Sequence, residues 1–532
     1  MNLPDLIAQL RRPESYPHSP DNVEVHQTHI SVVFLAGDRA YKTKKPVDFG
    51  FVDYSTLRRR KHFCRREVDL NRRLAPGVYR GIVPITGDPD TGLMVDGDGT
   101  VREWAVQMER LPPEANLESR LANNREGEAI RSRLTRVAHR LADFYADAST
   151  GPEIAEYASS EAVSTNMLDN FDDSREQVGT CVSESVFERF EALTRSELKR
   201  LGDRIADRSR SGVIRDTHGD LRLEHVYFLD DGQETERLSI IDCVEFNDAF
   251  RYADPIADIA FLAMDLEAHG YRKLSDEFVA TFLQAAQEDQ STELVDLYVA
   301  YRAAVRAKVS GLKALEEEVD DADRDEARSK ARRHWMVGLG RLESARRRPA
   351  LILVGGLPGT GKSTLASGLA DAGDFCVVDT DVVRKELAGL KPGESAKADI
   401  GDGIYSPEWS ERTYETCLKR AKERLFEGGR VIVDASFHGA DRRTRFFERA
   451  VEWGVPCRLL VCDAAEEVVV DRLEAREGDP SDAGVEVYRS MRQSWEPLDR
   501  FERERSARVR TDQPPEVSVE SAVGRLQDWG LA

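Results

Sequence analysis

Two strand-like runs, SVVFLA and RAYKTKK, meet at Gly37-Asp38 and predict an antiparallel hairpin near the start of the chain. Ser55 to Leu74 then reads as one long helix. Phe63, Glu67, Leu70 and Leu74 follow four-three-four spacing on it, so a carboxylate stands in an apolar stripe and needs a cationic partner. From Asn116 to Gly202 the pattern is mostly helical and polar, with short strands to follow around VIRDTHGDL, HVYFL and LSIID. More helices run from Pro255 through YVAYRAAVRAKVSGL. Beyond the acidic run EEEVDDADRDE and the basic Arg346-Arg347-Arg348-Pro349 the rhythm changes. LILVGG, FCVVDTD, VIVDASF, CRLLVCD and RVRT alternate with helical stretches, the pattern of a doubly wound parallel sheet.

That change divides the 532 residues into a first domain, 1–345, and a second, 346–532. The first splits into a small lobe over about 25–111 and a helical large lobe over 112–345. The formal charge of −21 is shared as −16 before residue 346 and −5 from it onward, which disfavours a general polyanion binder and therefore nucleic acid. No stretch nears the ~18 uninterrupted apolar residues of a membrane helix. The N-terminal segment lacks a signal-peptide pattern, so a cytoplasmic location is expected. Seven cysteines without a CxxC pair suggest reduced, buried thiols rather than a zinc site.

The sharpest motif is Gly356-Leu357-Pro358-Gly359-Thr360-Gly361-Lys362-Ser363-Thr364, a GxxxxGK[ST] loop between an apolar strand and an amphipathic helix. Gly356, Gly359 and Gly361 let backbone N–H groups curl around a phosphate, the helix start favours an anion, Lys362 reaches the β/γ-phosphates and Ser363 holds Mg²⁺, with Thr364 beside it. At the end of the next strand, Asp381 is placed to take a proton from an acceptor hydroxyl and Arg384 to clamp that acceptor, although a helix N-cap also accounts for one of Asp379 and Asp381. Asp434 ends another strand, where a carboxylate orients Mg²⁺. Arg472 and Arg476 share a helix face, as a lid over the γ-phosphate or as a plain basic stripe. In these elements the second domain resembles P-loop kinases of the polynucleotide-kinase and zeta-toxin type, which implies phosphorylation of a hydroxyl.

In the first domain, His218-Gly219-Asp220 and His225 follow a kinase catalytic-loop plan with His225 in place of an asparagine. Asp220 is the candidate base and Asp242, closing LSIID, the candidate metal ligand. His225 reads equally as a metal ligand or a structural histidine. Lys42 is the expected partner of Glu67 in a phosphate-holding pair, with Lys44 at the same strand parity as the alternative. HGDLRLEHVYF, IIDCVEFND and RYADPIADIAFLAMDL resemble the aminoglycoside phosphotransferase-like family within the protein-kinase-like fold. That resemblance implies ATP and Mg²⁺ as cofactors, with VQMERLP as the adenine hinge. It departs from the family where Thr28-His29-Ile30-Ser31 replaces a glycine-rich loop.

The combined expectation is a mixed α/β and α+β chain, a bilobal kinase-like domain followed by a P-loop domain. It would be a bifunctional phosphotransferase acting on small-molecule or nucleotide-like hydroxyls. The alternatives are a P-loop kinase regulated by a weak kinase-like domain and a nucleic-acid 5′-hydroxyl kinase. Sequence leaves the oligomeric state open.

Overall fold

A computed structural model describes residues 2–50, 52–88, 92–123, 127–230, 232, 236–289, 292–391, 403–475 and 484–532. The chain forms two compact units, one of 1–163, 201–265 and 273–292, the other of 164–200, 266–272 and 293–532. The units do not follow the order of the chain, because helices that precede residue 346 pack into the second.

The first unit is built on a six-stranded antiparallel sheet in the order β1 (Val23–Gln27), β2 (Ser31–Ala36), β3 (Arg39–Lys44), β6 (Val101–Glu109), β4 (Tyr79–Asp88), β5 (Gly92–Val95). The expected hairpin is β2 and β3, with Lys42 opposite Val33 on one side and Val106 on the other. Alternation along β3 sends Tyr41 to a core with Leu6, Leu10, Phe34 and Ile85. Lys42 and Lys44 therefore face the other way. That second face is covered by the helix Leu57–Asn71, capped by Thr56, whose Cys64 and Val68 pack with Val106, Tyr79 and Ala75. The buried side of the helix carries Arg60, Cys64, Glu67, Val68 and Asn71, so Glu67 is interior while Phe63 and Leu70 sit at the margin. Two small pairs complete the strands of this unit, β7 (Arg215–Asp216) with β10 (Tyr252–Ala253) and β8 (Val226–Leu229) with β9 (Arg237–Ile240).

The second unit holds a five-stranded parallel sheet in the order β12 (Cys376–Asp379), β13 (Arg430–Asp434), β11 (Ala350–Gly355), β14 (Cys457–Asp463), β15 (Ser506–Arg510). The three inner strands, β13, β11 and β14, are mostly buried because both of their faces are covered, whereas the edge strands β12 and β15 are largely exposed or half-buried. Ala350, Ile352 and Val354 point to one core with Leu365, Leu369, Val509 and Leu526. Leu351 and Leu353 point to the other, where Leu418, Phe446 and Phe447 meet Val186, Phe187, Phe190, Trp335 and Leu339 from helices that precede the sheet. Trp335 is fully buried there.

Candidate active sites

The P-loop leaves β11 and enters the helix Lys362–Gly373. Gly356, Gly359 and Gly361 all hold positive φ, and a Cβ on Gly356 would stand 3.0 Å from the Cys462 carbonyl, so the curl of this loop admits no larger residue. Gly361 caps the helix without a side-chain hydrogen bond, which leaves its first N–H groups free for an anion. Lys362 Nζ donates to the Leu357 carbonyl across the loop at 3.1 Å.

The parallel register carries the carboxylates to that loop. Val354 aligns with Asp434, and Asp434 with Asp379, at the carboxyl edge of the sheet. Asp379 accepts from the N–H groups of Asp381 (2.7 Å) and Val382 (3.1 Å), so Asp379 is the N-cap and the Asp381 carboxylate is left for other use. Asp434 is 3% exposed; burial pushes its carboxyl up to about 6, against the pull of Lys362 and a hydrogen bond with Ser363. A carboxylate so poorly compensated beside a serine hydroxyl fits a divalent cation held by two protein oxygens, with phosphate and water completing its shell. Among the described residues no three His, Cys, Asp or Glu side chains gather as a metal cluster.

Arg384 is buried and turned toward its own unit's neighbouring helix. Its Nη1 donates to the Ile404 carbonyl (2.8 Å) and the Ser410 hydroxyl (3.2 Å), and its guanidinium lies 5.1 Å from the Tyr405 ring. Arg472, on the helix Glu466–Glu474, donates to the Thr511 carbonyl at 2.7 Å. It lines a cavity of about 350 Å³ with Gly359, Gly361, Thr364, Gln513 and Ser518, and its Nη1 is buried without a partner among the described residues. Arg476 lies outside the described residues. Thr511 and Gln513 gave no sequence signal, because nothing in the chain pattern marks a loop that faces the P-loop from another strand.

In the first unit a network of charge takes the place of backbone amides. Lys42 Nζ lies 3.0 Å from Glu67 and 2.7 Å from Asp242. Lys44 pairs with Glu67 and also with Glu245, whose carboxylate accepts from the Tyr54 hydroxyl at 2.7 Å. Glu67 thus takes both lysines, and Glu245, overlooked in the sequence, balances the second. Burial alone would lower both ammonium groups; Asp242 and Glu67 outweigh it for Lys42, and Glu245 and Glu67 for Lys44, so both stay protonated. Burial would raise Asp242, but Lys42 and His225 hold it well below the usual carboxylate range. Asp242 sits at φ +63°, a left-handed backbone that aspartate tolerates better than most residues.

The catalytic-loop residues are pinned from below. Asp258, fully buried on the apolar helix Pro255–Ala268, accepts from the N–H groups of His218 (2.8 Å) and Gly219 (2.9 Å) and from the Tyr145 hydroxyl (2.8 Å). Asp258 is the first of three acids on that helix and stands near its start, within the run PIADIAFLAM. Asp220 lies 3.2 Å from Arg222. His225 Nδ1 donates to the Asp220 carbonyl at 2.8 Å, which turns Nε2 toward Arg222 Nη2 at 3.3 Å and toward Asp242 at 3.7 Å. Both ring nitrogens are therefore engaged by protein groups.

Comparison with known proteins adds identity to this geometry. The uncharacterized protein Rv2004c of Mycobacterium tuberculosis is 34% identical over 471 residues, covering 88% of this chain and 89% of that protein. The chain belongs to the Rv2004c family. Within this family member, a family model described as an AAA domain matches residues 351–498. A dephospho-CoA kinase of Corynebacterium jeikeium is 30% identical over 158 residues, 25% of this chain and 76% of that enzyme. The chain is an ATP-dependent kinase with a P-loop kinase domain toward its C-terminus. A choline/ethanolamine kinase family protein from Mesorhizobium loti covers 64% of the chain and 99% of its own at 13% identity, with a TM-score of 0.35. No described helix is long and apolar enough to cross a membrane.

Proposed function

We propose that this kinase transfers the γ-phosphate of ATP at two sites, one in each unit, to hydroxyl groups of small-molecule or nucleotide-like acceptors. The reading rests on one observation above all. The N-cap duty falls to Asp379, so a second carboxylate, Asp381, stands free at the strand edge beside the P-loop. Asp381 takes the acceptor proton, Lys362 and the uncapped amides neutralise the transferring phosphoryl group, and Arg472 closes over the donor phosphate from the cavity it lines with Gly359 and Gly361. Arg384 serves the acceptor through the wall it builds with Tyr405 and Ser410. In the first unit Asp220 is the base, Glu67 presents Lys42 to the α/β-phosphates, and Asp242 faces the metal. Mg²⁺ would be held by Ser363 and Asp434 in one site and by Asp242 in the other, where it offsets the negative charge of the β/γ oxygens. Seven free cysteines suit a reducing cytoplasm.

The test is a phosphate-transfer screen of the full chain against sugars, nucleosides, antibiotics and 5′-hydroxyl oligonucleotides, with Asp381→Asn and Asp220→Asn variants. Each substitution should remove transfer to a different subset of acceptors. Wild-type rates across the panel in the Asp381→Asn and Asp220→Asn double variant would defeat the assignment of bases.

His225 favours a second reading, in which the first unit binds nucleotide without transferring phosphate and regulates the P-loop site. Its imidazole is tied to the Asp220 carbonyl where a kinase places an oxygen ligand for metal. Under that reading calorimetry shows nucleotide binding that survives Asp220→Asn, and Asp381→Asn alone abolishes all transfer.

A further inference from the structure

Arg443 lies on the helix Ala440–Glu452 with its side chain fully out of solvent, and every donor of its guanidinium is spent. Nε donates to Glu502 at 2.7 Å; Nη1 donates to the Phe437 and His438 carbonyls at 2.9 and 3.1 Å; Nη2 donates to the Glu496 and Pro497 carbonyls at 3.1 and 3.3 Å and to Glu502 at 3.2 Å. Glu502 is itself held in a capping box with Asp499. The two carbonyls on Nη1 belong to the turn that follows Asp434, and Phe437 within it takes φ +49°, an uncommon backbone for a bulky residue. Such a turn persists only when its surroundings over-determine it. Its product is visible on the P-loop: the Gly356 N–H donates to the Ser436 carbonyl at 3.0 Å, and the Ser436 hydroxyl meets His438 Nδ1 at 3.1 Å.

We infer that Arg443, fixed by Glu502, is a positioning residue for the phosphate-binding loop. It holds the Ser436–His438 turn in its strained shape, and through the Ser436 carbonyl it sets where the loop begins its curl. The inference rests on the reading of the P-loop as the ATP site. A lysine at 443 keeps the charge but cannot reach six acceptor contacts, so the turn relaxes and the first loop glycine loses its register.

The experiment uses full-length protein in the Asp220→Asn background, with MgATP as the probe and ADP release as the readout. Arg443→Lys and the milder Glu502→Gln are compared with Arg430→Lys. Arg430 is another buried guanidinium of the same unit, bonded to the Gly373 carbonyl at 2.7 Å and 3.9 Å from the Phe375 ring, far along its strand from the loop. All three should lower the thermal midpoint. Arg443→Lys should also lower kcat/KM for ATP on the order of a hundredfold, mostly through KM, as expected when a reacting group is displaced by about 1 Å. Glu502→Gln should follow in the same direction by roughly tenfold, within the same rule. Arg430→Lys should leave KM unchanged. Equal KM values for the folded Arg443 and Arg430 variants would reduce Arg443 to a structural staple and overturn the inference. ADP release that persists in Lys362→Ala would instead overturn the ATP-site reading, which keeps the two failures apart.

Discussion

The two candidate phosphate sites solve one electrostatic problem with different materials. In the second unit the P-loop offers backbone amides and a helix start, and Lys362 is its one cation on the loop itself. The first unit offers Lys42 and Lys44 against Glu67, Glu245 and Asp242, all within one connected set of ion pairs. Amide dipoles neither titrate nor need partners, so the phosphate cradle built from them lies within nine consecutive residues. Buried side-chain charges must be balanced one by one, and a single loss leaves another charge stranded. The first design concentrates its risk in backbone shape, the second in charge balance.

The largest effect should come from separating the P-loop sheet from what precedes it. A fragment of residues 346–532 lacks Phe187, Phe190, Trp335 and Leu339, which share a core with Leu351 and Leu353. Each such aromatic is worth about 3–5 kcal/mol in a core, so the fragment should show no cooperative thermal transition while the full chain does. A sharp transition in the fragment would mean that the sheet is self-sufficient. Next in size, Lys362→Ala should lower P-loop turnover on the order of 10³-fold with little change in the thermal midpoint, as befits a group that serves charge developing in the transition state.

Lys44→Met sharpens the contrast by attacking charge balance alone. It leaves Glu245 inside the first unit without its lysine and Glu67 with Lys42 alone, and should destabilise that unit by about 3–5 kcal/mol, measured by denaturant unfolding. Lys42→Met, at a partly exposed amine, should affect nucleotide binding more than stability. If the two substitutions unfold the protein equally, the division between a structural and a functional lysine is wrong.

The smallest effect is a pH dependence carried by Asp434. Its carboxyl is raised from 3.8 to about 6, so the folded state holds the proton more tightly than the unfolded chain does. Stability from this group is full below about pH 4 and is lost as pH rises through 6, in the absence of metal. MgATP requires the ionised form, so its binding should weaken below pH 6 and release a proton near pH 6 but not at pH 8. Calorimetry in buffers of different ionisation enthalpy measures that release, and its absence at pH 6 would remove Asp434 from the metal site.

Much of the second unit was readable along the chain. The five strand-like segments became five parallel strands, and the loop motif landed between strand and helix, because strand, turn and helix signals are local. Asp379 and Asp381 could not be told apart that way. A cap is defined by which carboxylate turns back onto the N–H groups, and only the folded helix start shows it to be Asp379. The placement of Arg472 was equally hidden, since its partner Thr511 lies 39 positions away on another strand's exit.

In the first unit the sequence identified Glu67 as a carboxylate in need of a cation, and that followed from helical periodicity alone. It left Lys42 and Lys44 as alternatives because parity makes them equivalent. The fold assigned both, by bringing Asp242 to Lys42 across 200 positions and Glu245 to Lys44 across 201. Periodicity and backbone chemistry are properties of neighbouring residues and are written into the chain itself. The partner of a buried charge is whichever group packing delivers, and that choice belongs to the tertiary structure.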